Sequence, residues 1–239
     1  MNYRAKIKIF AKDRLSSKYG IILAAMVLAA LPFIITNILV AALSFFSVLI
    51  LRIRIWELVP AAITLESLAN LITCSQVFLY PFFVVGVAAF MLSVVRGKSE
   101  KVVFPYTSGV KNYAVKTWGI FLQTLFISLW SLLFVIPGIV KGYSYYFNAY
   151  ILSDCPNLTA RQALKLSKKI THGIKGDLFL FDLSFIGWWL LTALTCGILG
   201  LYTIPYYETA KASLYESMKN NALLTGKITD EDLNPPSGY

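Results

Sequence analysis

Residues 20–51 read GIILAAMVLAALPFIITNILVAALSFFSVLIL, a run of 32 positions without a charged side chain. As an α-helix this run would be about 48 Å long, whereas the hydrocarbon core of a bilayer is about 30 Å thick. A signal peptide has an apolar region of only about 7–15 residues, so that interpretation does not fit. We therefore predict a membrane-spanning segment, either one long tilted helix or a helix broken near Pro32 and Asn37.

The composition of the whole chain extends this prediction. Of its 239 residues, 57% are hydrophobic and only 14% are charged, whereas soluble domains contain about 25% charged residues. The chain has too little polar surface for a soluble enzyme or a disordered protein, so we predict an integral membrane protein. The net charge of +10 is typical of cytoplasmic segments in such proteins, and we expect no nucleic-acid partner.

Further uncharged runs and the basic residues together predict the topology. The runs lie at residues 67–95, 117–140, 142–153 and 183–207. The basic segments lie at residues 1–19, 96–117, 154–177 and from 211 onward. If all basic segments are cytoplasmic, an even number of crossings separates each pair. Proline and glycine at Pro137-Gly138, and glycines within residues 196–200, then provide the reversals inside two of the pairs.

We therefore predict an all-α integral membrane fold of six transmembrane helices in three hairpins, with both termini cytoplasmic. An alternative with five helices makes residues 118–153 one kinked helix, and it would place five Lys and Arg residues outside. The predicted membrane domain covers residues 1–218. Residues 219–239 are polar and contain Asp230, Glu231 and Asp232, a composition that favours a disordered cytoplasmic tail.

Basic amphipathic stretches precede the hairpins, and their order indicates a degenerate threefold repeat, although membrane hairpins can also resemble one another by chance. The clearest stretch is residues 157–175, with Thr159 as the predicted N-cap. Such a helix lies in the headgroup plane and favours anionic lipids. The alternative is a cytoplasmic charge excess without a lipid-binding role. The candidate headgroup contacts are Arg161, Lys165, Lys168, Lys169 and Lys175.

Ionisable residues inside the last apolar pair are the candidates for a polar site. Asp182 lies near the start of the fifth predicted helix, and Glu208 and Lys211 follow Pro205 in the sixth. A charge inside a membrane is costly unless it is paired, so such residues are functional candidates. The alternative is structural, with Asp182 pairing with Lys211 or capping a helix near the cytoplasmic interface. Gly138 and Gly142 form a G-x-x-x-G motif that suits close helix packing.

Motifs for cofactors and catalysis are missing from the sequence. The three cysteines form no C-x-x-C pair, and His172 is the single histidine, so no zinc constellation is recognisable. There is no glycine-rich phosphate loop and no H-E-x-x-H. We therefore expect no cofactor, no metal site and no enzymatic activity.

Several short stretches carry a family resemblance, namely PGIVKGYSY at 137–145, NLTA at 157–160, DLSFIGW at 182–188 and PYY at 205–207. With these the chain resembles the multi-pass bacterial membrane proteins of the domain-of-unknown-function 975 family. It is more distantly similar to the membrane domain fused to some bacterial glycerophosphodiester phosphodiesterases. The resemblance implies a bacterial plasma membrane. It implies no catalytic residue, because the family has no established activity.

The expected function is that of an accessory or scaffold protein. Its basic cytoplasmic face would contact anionic lipid headgroups and possible membrane partners. The alternative is a small-molecule or lipid transporter or channel, with Asp182 and Glu208 near the pathway. The sequence predicts neither the ligand nor the oligomeric state.

Overall fold

The computed structural model describes residues 3–53, 56–98 and 112–235. Within these ranges the chain forms helices joined by turns and contains no strand, which confirms the predicted all-α class. Three of the described helical segments are long and apolar enough to cross a membrane: Ala5–Ile53, Val59–Val95 and Lys175–Leu194. The coarse prediction of a membrane protein therefore agrees with the structure.

The first uncharged run forms a single helix. Helix α1 (Tyr3–Ile53) continues through Pro32 and leaves helical geometry only at Lys18, where φ is −133° and ψ is 21°. Thr36 and Asn37 donate side-chain hydrogen bonds to the carbonyls of Pro32 and Phe33 one turn earlier. These polar groups are thus satisfied within the helix, as an apolar environment requires, and the run does not break.

Helix α2 (Val59–Val95) packs antiparallel to α1 after a short 3₁₀ turn at Trp56–Leu58. The Phe33 and Phe83 rings meet edge to face at 4.6 Å, and Gln76 donates to Thr36 over 2.9 Å. Nearer the turn, Ser47 donates to the carbonyl of Ala62. Residue numbers rise on one helix as they fall on the other, so the two helices run in opposite directions.

The next reversal differs in position from the sequence prediction. Helix α3 (Tyr113–Leu133) ends at Phe134, which is extended with φ −158° and ψ 144°, and α4 (Val135–Ser144) follows. Pro137 lies in the first turn of α4, where its missing N–H removes no intrahelical hydrogen bond. The extended Phe134 therefore reverses the chain three residues before the predicted Pro137-Gly138 turn.

The remaining chain forms shorter helices and one long one. They are α5 (Asn148–Asp154), α6 (Ala160–Thr171), α7 (Lys175–Leu183), α8 (Ile186–Leu194), α9 (Gly200–Leu224) and α10 (Asp230–Leu233). The turn between α8 and α9 contains two left-handed residues, Cys196 with φ 50° and Gly197 with φ 89°. Glycine adopts this conformation without steric cost, which explains the reversal predicted at residues 196–200.

Buried aromatic side chains contribute much of the core, in which α1, α2 and α9 pack together. The largest fully buried ones are Phe90, Phe147, Tyr150, Phe181, Phe185 and Tyr215. Apolar side chains at the α3–α4 turn, residues 132–136, are instead 64–86% exposed. Exposure of this kind is unfavourable in water and is expected for a surface that contacts lipid.

Part of the polar segment from residue 219 is helical in the structure. Helix α9 continues to Leu224, and α10 follows with a capping box between Thr229 and Asp232. Ile228 and Leu233 are buried in the core. Residues 219–235 of the predicted tail thus form the end of α9, a turn and α10, and the disordered tail stays a prediction. Residues 236–239 lie outside the described residues.

Candidate functional site: a carboxylate among tyrosines

Asp182 is the centre of a polar cluster at the C-terminal end of α7. Its carboxylate accepts hydrogen bonds from the hydroxyls of Tyr143 at 3.0 Å, Tyr146 at 2.6 Å and Tyr207 at 3.0 Å. The Tyr146 and Tyr207 oxygens also lie 3.1 Å apart. Since each hydroxyl has a single hydrogen, the three tyrosines together donate at most three hydrogen bonds to the carboxylate.

Local chain geometry brings the tyrosines together. Tyr143 and Tyr146 are three residues apart at the end of α4 and the turn after it, and their rings stack with centroids 5.7 Å apart. Tyr207 lies on α9, two residues after Pro205. Two separate segments, the end of α4 with the turn after it and α9, thus converge on Asp182, which lies where α7 gives way to α8.

A cavity of about 340 Å³ opens beside this cluster. Its wall is formed by Tyr143, Phe179, Asp182, Leu183, Ile186, Trp189 and Tyr207. Apart from Asp182 and the tyrosine hydroxyls, the lining is aromatic or aliphatic. Small-molecule sites commonly have this character, with a few polar groups on an apolar wall.

Lys211 does not pair with Asp182. Its ammonium lies over the rings of Tyr146 at 4.5 Å and Tyr207 at 5.8 Å, and no ion pair between Lys211 and a carboxylate is found among the described residues. Glu208 accepts a hydrogen bond of 3.1 Å from Tyr150. The three predicted site residues are therefore in one region but are connected through tyrosines. Of the two forms of the structural alternative, the Asp182–Lys211 ion pair is not found among the described residues.

A second polar cluster was not anticipated from the sequence. The Asp154 carboxylate at the end of α5 pairs with Arg96 at 2.7 Å and with Lys219 at 2.6 Å, and Arg96 also pairs with Glu216 at 3.0 Å. Tyr215 donates a further hydrogen bond to Asp154. The network joins the C-terminal ends of α2 and α5 to the C-terminal half of α9. The one sequence signal for this cluster was Asp154, the single acidic residue at the end of the uncharged run at residues 142–153.

The electrostatics of this second cluster favour its charged form. Burial alone would raise the pKa of Asp154, but the hydrogen bonds from Arg96 and Lys219 outweigh burial and lower that pKa. The pKa of Arg96 is raised, mainly by its hydrogen bond to Asp154. Asp154 is therefore an ionised anchor for two cations at neutral pH.

Helix α6 has its predicted N-cap and an apolar side that is packed inside the protein. Thr159 and Gln162 form a capping box at its start, which confirms the expected cap. Ala163, Leu166 and Ile170 are buried in the main core. Farther along, Thr171 donates to the carbonyl of Ser144. The apolar side of this amphipathic helix is therefore covered by the protein itself.

The five predicted cations around α6 have different surroundings. Arg161 and Lys165 are exposed and have no partner among the described residues. Lys168 lies 5.3 Å from the Tyr145 ring centre, and Lys169 pairs with Asp232 at 2.7 Å. Lys175 is half-buried at the start of α7.

The two glycines of the G-x-x-x-G motif also differ in their surroundings. A Cβ atom at Gly138 would lie 2.9 Å from the Cα atom of Ser131, so α3 and α4 approach closely there. At Gly142 no atom of another element lies within 4 Å of such a Cβ.

The described residues contain no group of three or more His, Cys, Asp or Glu side chains that could hold a metal ion. Taken together, the fold and the site define an all-helical protein with membrane-length apolar helices and a carboxylate–tyrosine cluster between them. Residues 131–222 match the model of the family described as protein of unknown function (DUF975), which confirms the family resemblance seen in the sequence. No curated protein and no solved structure matches the chain.

The matched stretch includes Asp182 and its three tyrosines, all of α6, and Gly138 and Gly142. Arg96, α1 and α2 lie outside it. The more distant similarity to the membrane domain of glycerophosphodiester phosphodiesterases stays a prediction.

Proposed function

We propose that the protein is a multi-pass accessory or scaffold protein of the bacterial plasma membrane that binds anionic lipid headgroups through the basic side of α6. In this proposal the chain crosses the membrane six times as three helical hairpins, with both termini and α6 on the cytoplasmic side. The observation that carries it is the orientation of α6. Its apolar side packs inside the protein, whereas Arg161, Lys165 and Lys168 are exposed.

The position of α6 along α3 supports contact with a membrane surface. A Cβ atom at Gly119 of α3 would lie 3.6 Å from Ala160, the first residue of α6. Phe134, in the exposed apolar turn, is 15 residues farther along the chain. At 1.5 Å per helical residue this corresponds to about 22 Å. That separation is comparable to the thickness of the hydrocarbon core, so α6 can lie at one surface while the apolar turn is immersed.

The charge on α6 is suited to phosphate-containing headgroups. A cation near an anionic membrane surface contributes about 1 kcal/mol of attraction. Arg161 and Lys165 have no described partner that would compete for this contact. Because α6 is fixed by its buried side, its cations are held in place and lose less conformational entropy on binding.

Lipid enrichment tests the proposal. The protein would be extracted into nanodiscs with its native lipids, and the bound lipids would be identified by mass spectrometry. We expect anionic phospholipids to be enriched over the bulk membrane, and this enrichment to fall in the triple variant Arg161→Gln, Lys165→Gln, Lys168→Gln. At about 1 kcal/mol per cation, the affinity would fall by about a hundredfold at most.

A matched control removes the same charge elsewhere. Lys6, Lys12 and Lys98 are exposed cations outside α6, and their replacement by Gln should reduce the enrichment less than the α6 variant does. Equal effects of the two variants, or no enrichment of anionic lipid in the wild type, would contradict a specific role of α6.

The six-crossing topology has a separate test based on cysteine accessibility. Cys155 is only 5% exposed and would report poorly, whereas Cys196 is exposed in the α8–α9 turn. A membrane-impermeant thiol reagent added outside intact cells should label Cys196. It should leave a cysteine introduced by Lys165→Cys unlabelled until the membrane is opened. The reverse pattern would exclude the proposed orientation.

A further inference from the structure

The open cavity beside Asp182 is lined by two pairs of aromatic rings and a carboxylate. The Tyr143 and Phe179 rings meet edge to face at 6.2 Å, and the Trp189 and Tyr207 rings meet at 5.7 Å. All four rings line the same cavity of about 340 Å³ together with Asp182. The faces of aromatic rings carry partial negative charge, so this cavity is electrostatically suited to a cation.

The carboxylate retains an open acceptor position. An ionised carboxylate has about four lone-pair sites. Tyr146 and Tyr207 both point at Oδ1 of Asp182, whereas Tyr143 alone points at Oδ2. At least one site, on Oδ2, is therefore left over after the described hydrogen bonds. The donors are also neutral, so they stabilise the negative charge without cancelling it.

Two lysines of this region, Lys211 and Lys8, are held against aromatic rings. Lys211 lies 4.5 Å from the centre of the Tyr146 ring. Lys8 lies 4.2 Å from the centre of the Phe185 ring and donates to the carbonyl of Ser184. Neither forms an ion pair with Asp182 among the described residues. The charge of Asp182 is thus available to a cation that enters the cavity.

We propose that this cavity binds an alkylammonium group, carried either by the headgroup of an amine-containing phospholipid or by a free organic amine. The rings of Tyr143, Phe179, Trp189 and Tyr207 would contact the methyl or methylene groups next to the nitrogen. Asp182 would supply the countercharge, and its open Oδ2 position would accept a hydrogen bond from a primary ammonium. A metal ion is a poorer match, because the wall offers few oxygen ligands.

This site is separate from the basic side of α6 and selects the opposite charge. The proposal does not depend on the proposed function, and failure of one leaves the other intact. Loss of anionic-lipid enrichment in the α6 variant would leave ammonium binding unchanged.

Equilibrium dialysis of the detergent-purified full chain against radiolabelled choline tests the free-amine source. We expect saturable binding that tetramethylammonium and ethylammonium chloride displace, whereas sodium chloride at equal ionic strength does not. The uncharged analogue 3,3-dimethyl-1-butanol, which has the shape of choline without its charge, should also fail to displace it. Displacement by the alcohol equal to that by tetramethylammonium would overturn the cation site.

Native mass spectrometry tests the lipid source. The protein would be reconstituted in nanodiscs of phosphatidylglycerol alone or with one tenth phosphatidylethanolamine, and retained lipids would be counted. Retention of phosphatidylethanolamine above its share supports the lipid as the source of the ammonium group. Binding of choline without such retention supports a free amine. The absence of both choline binding and phosphatidylethanolamine retention would overturn the proposal.

Variants identify the residues responsible. Asp182→Asn keeps the shape of the side chain and should weaken binding at least tenfold. Trp189→Leu leaves the carboxylate and its tyrosines in place and should weaken binding several-fold, so the proposal stays testable if Asp182→Asn fails to fold. Wild-type affinity in the folded Trp189→Leu variant, or in a folded Asp182→Asn variant, would overturn it.

Two control variants match these changes. Trp130→Leu removes a tryptophan that is 40% exposed, the same fraction as Trp189, but lies on α3 outside the cavity wall. Glu231→Gln removes one negative charge from exposed α10. Both control variants should bind choline as the wild type does. If they lose as much choline affinity as the cavity variants, the effect comes from general destabilisation or net charge, and the assignment is overturned.

Discussion

Tyr146 donates a hydrogen bond of 2.6 Å to Asp182, so a side chain in the turn after α4 holds the carboxylate of α7. The two residues are 36 positions apart in the sequence. The contact joins the two predicted membrane pairs that precede and follow α6, and it lies beside the cavity that we assign to an ammonium group.

Removal of this hydroxyl should destabilise the protein. Tyr146→Phe leaves the ring in place but removes a hydrogen bond to a charged group, which is expected to cost about 1–2 kcal/mol. Thermal unfolding in detergent would measure the change. Tyr206→Phe is the matched control, because Tyr206 is also a buried tyrosine of this region and its hydroxyl has no hydrogen-bond partner among the described residues. An equal effect of the two variants would contradict a special role of the Tyr146 hydroxyl.

Asp154 should be more important for stability than an exposed carboxylate with the same type of partner. Asp154→Asn would leave Arg96 and Lys219 without their buried counterion, at a cost of about 3 kcal/mol. Asp232→Asn removes the partner of Lys169 at a more exposed site, where an ion pair contributes about 1 kcal/mol or less. Thermal unfolding of the two variants side by side should show the larger decrease for Asp154→Asn, and the opposite order would refute the assignment.

The contribution of Asp154 should depend on pH. Its pKa is lowered in the folded protein, so its stabilising effect is fully present above the unfolded value of about 3.9. Below the unfolded pKa, the unfolded chain takes up the proton before the folded protein does. The stabilising effect therefore declines and is lost as the pH falls through the lower pKa of the folded protein. The difference in melting temperature between wild type and Asp154→Asn should therefore be constant from pH 5 to 7 and shrink below about pH 4. A difference that grows on acidification would be inconsistent with a lowered pKa.

The two glycines of the G-x-x-x-G motif should respond differently to alanine. A methyl group at Gly138 would crowd the Ser131 backbone, which cannot yield like a flexible side chain. We expect Gly138→Ala to cost about 1–3 kcal/mol. Gly142→Ala meets open space and should be neutral or stabilise the helix by up to about 1 kcal/mol. Thermal unfolding distinguishes the two, and equal effects would argue against close packing at Gly138.

Sequence patterns predicted the helices better than they predicted which side chains contact one another. The uncharged run at residues 20–51 indicated a membrane-length helix, and the Thr159 capping box follows from local chemistry. Helix α1 passes through Pro32, a point that the sequence left open, and the side chains of Thr36 and Asn37 are satisfied within it. The prediction of a disordered tail rested on its polar composition, whereas Ala222, Ile228 and Leu233 within it are buried in the core.

Asp182 was recognisable as a candidate, but its partners were not. Opposite charge suggested Lys211, whereas the structure provides three tyrosines. Which side chains reach Asp182 depends on the break after α4 and on the register of α9. Neither is encoded in a short motif. Tyrosines are also typical of the headgroup zone, so their positions were explained as interfacial and their role as hydrogen-bond donors to Asp182 was not predicted.

The turn at Phe134 has a consequence for how the protein is assembled. Residues 132–136 are all apolar. The N–H of Phe134 donates to the carbonyl of Trp130, and its own carbonyl accepts from Gly138. These two hydrogen bonds pair the N–H and the carbonyl of Phe134 within the turn, which lowers the cost of placing it in lipid. In the proposed six-crossing topology, insertion of the α3–α4 pair would therefore not require a hydrophilic loop to be carried across the bilayer.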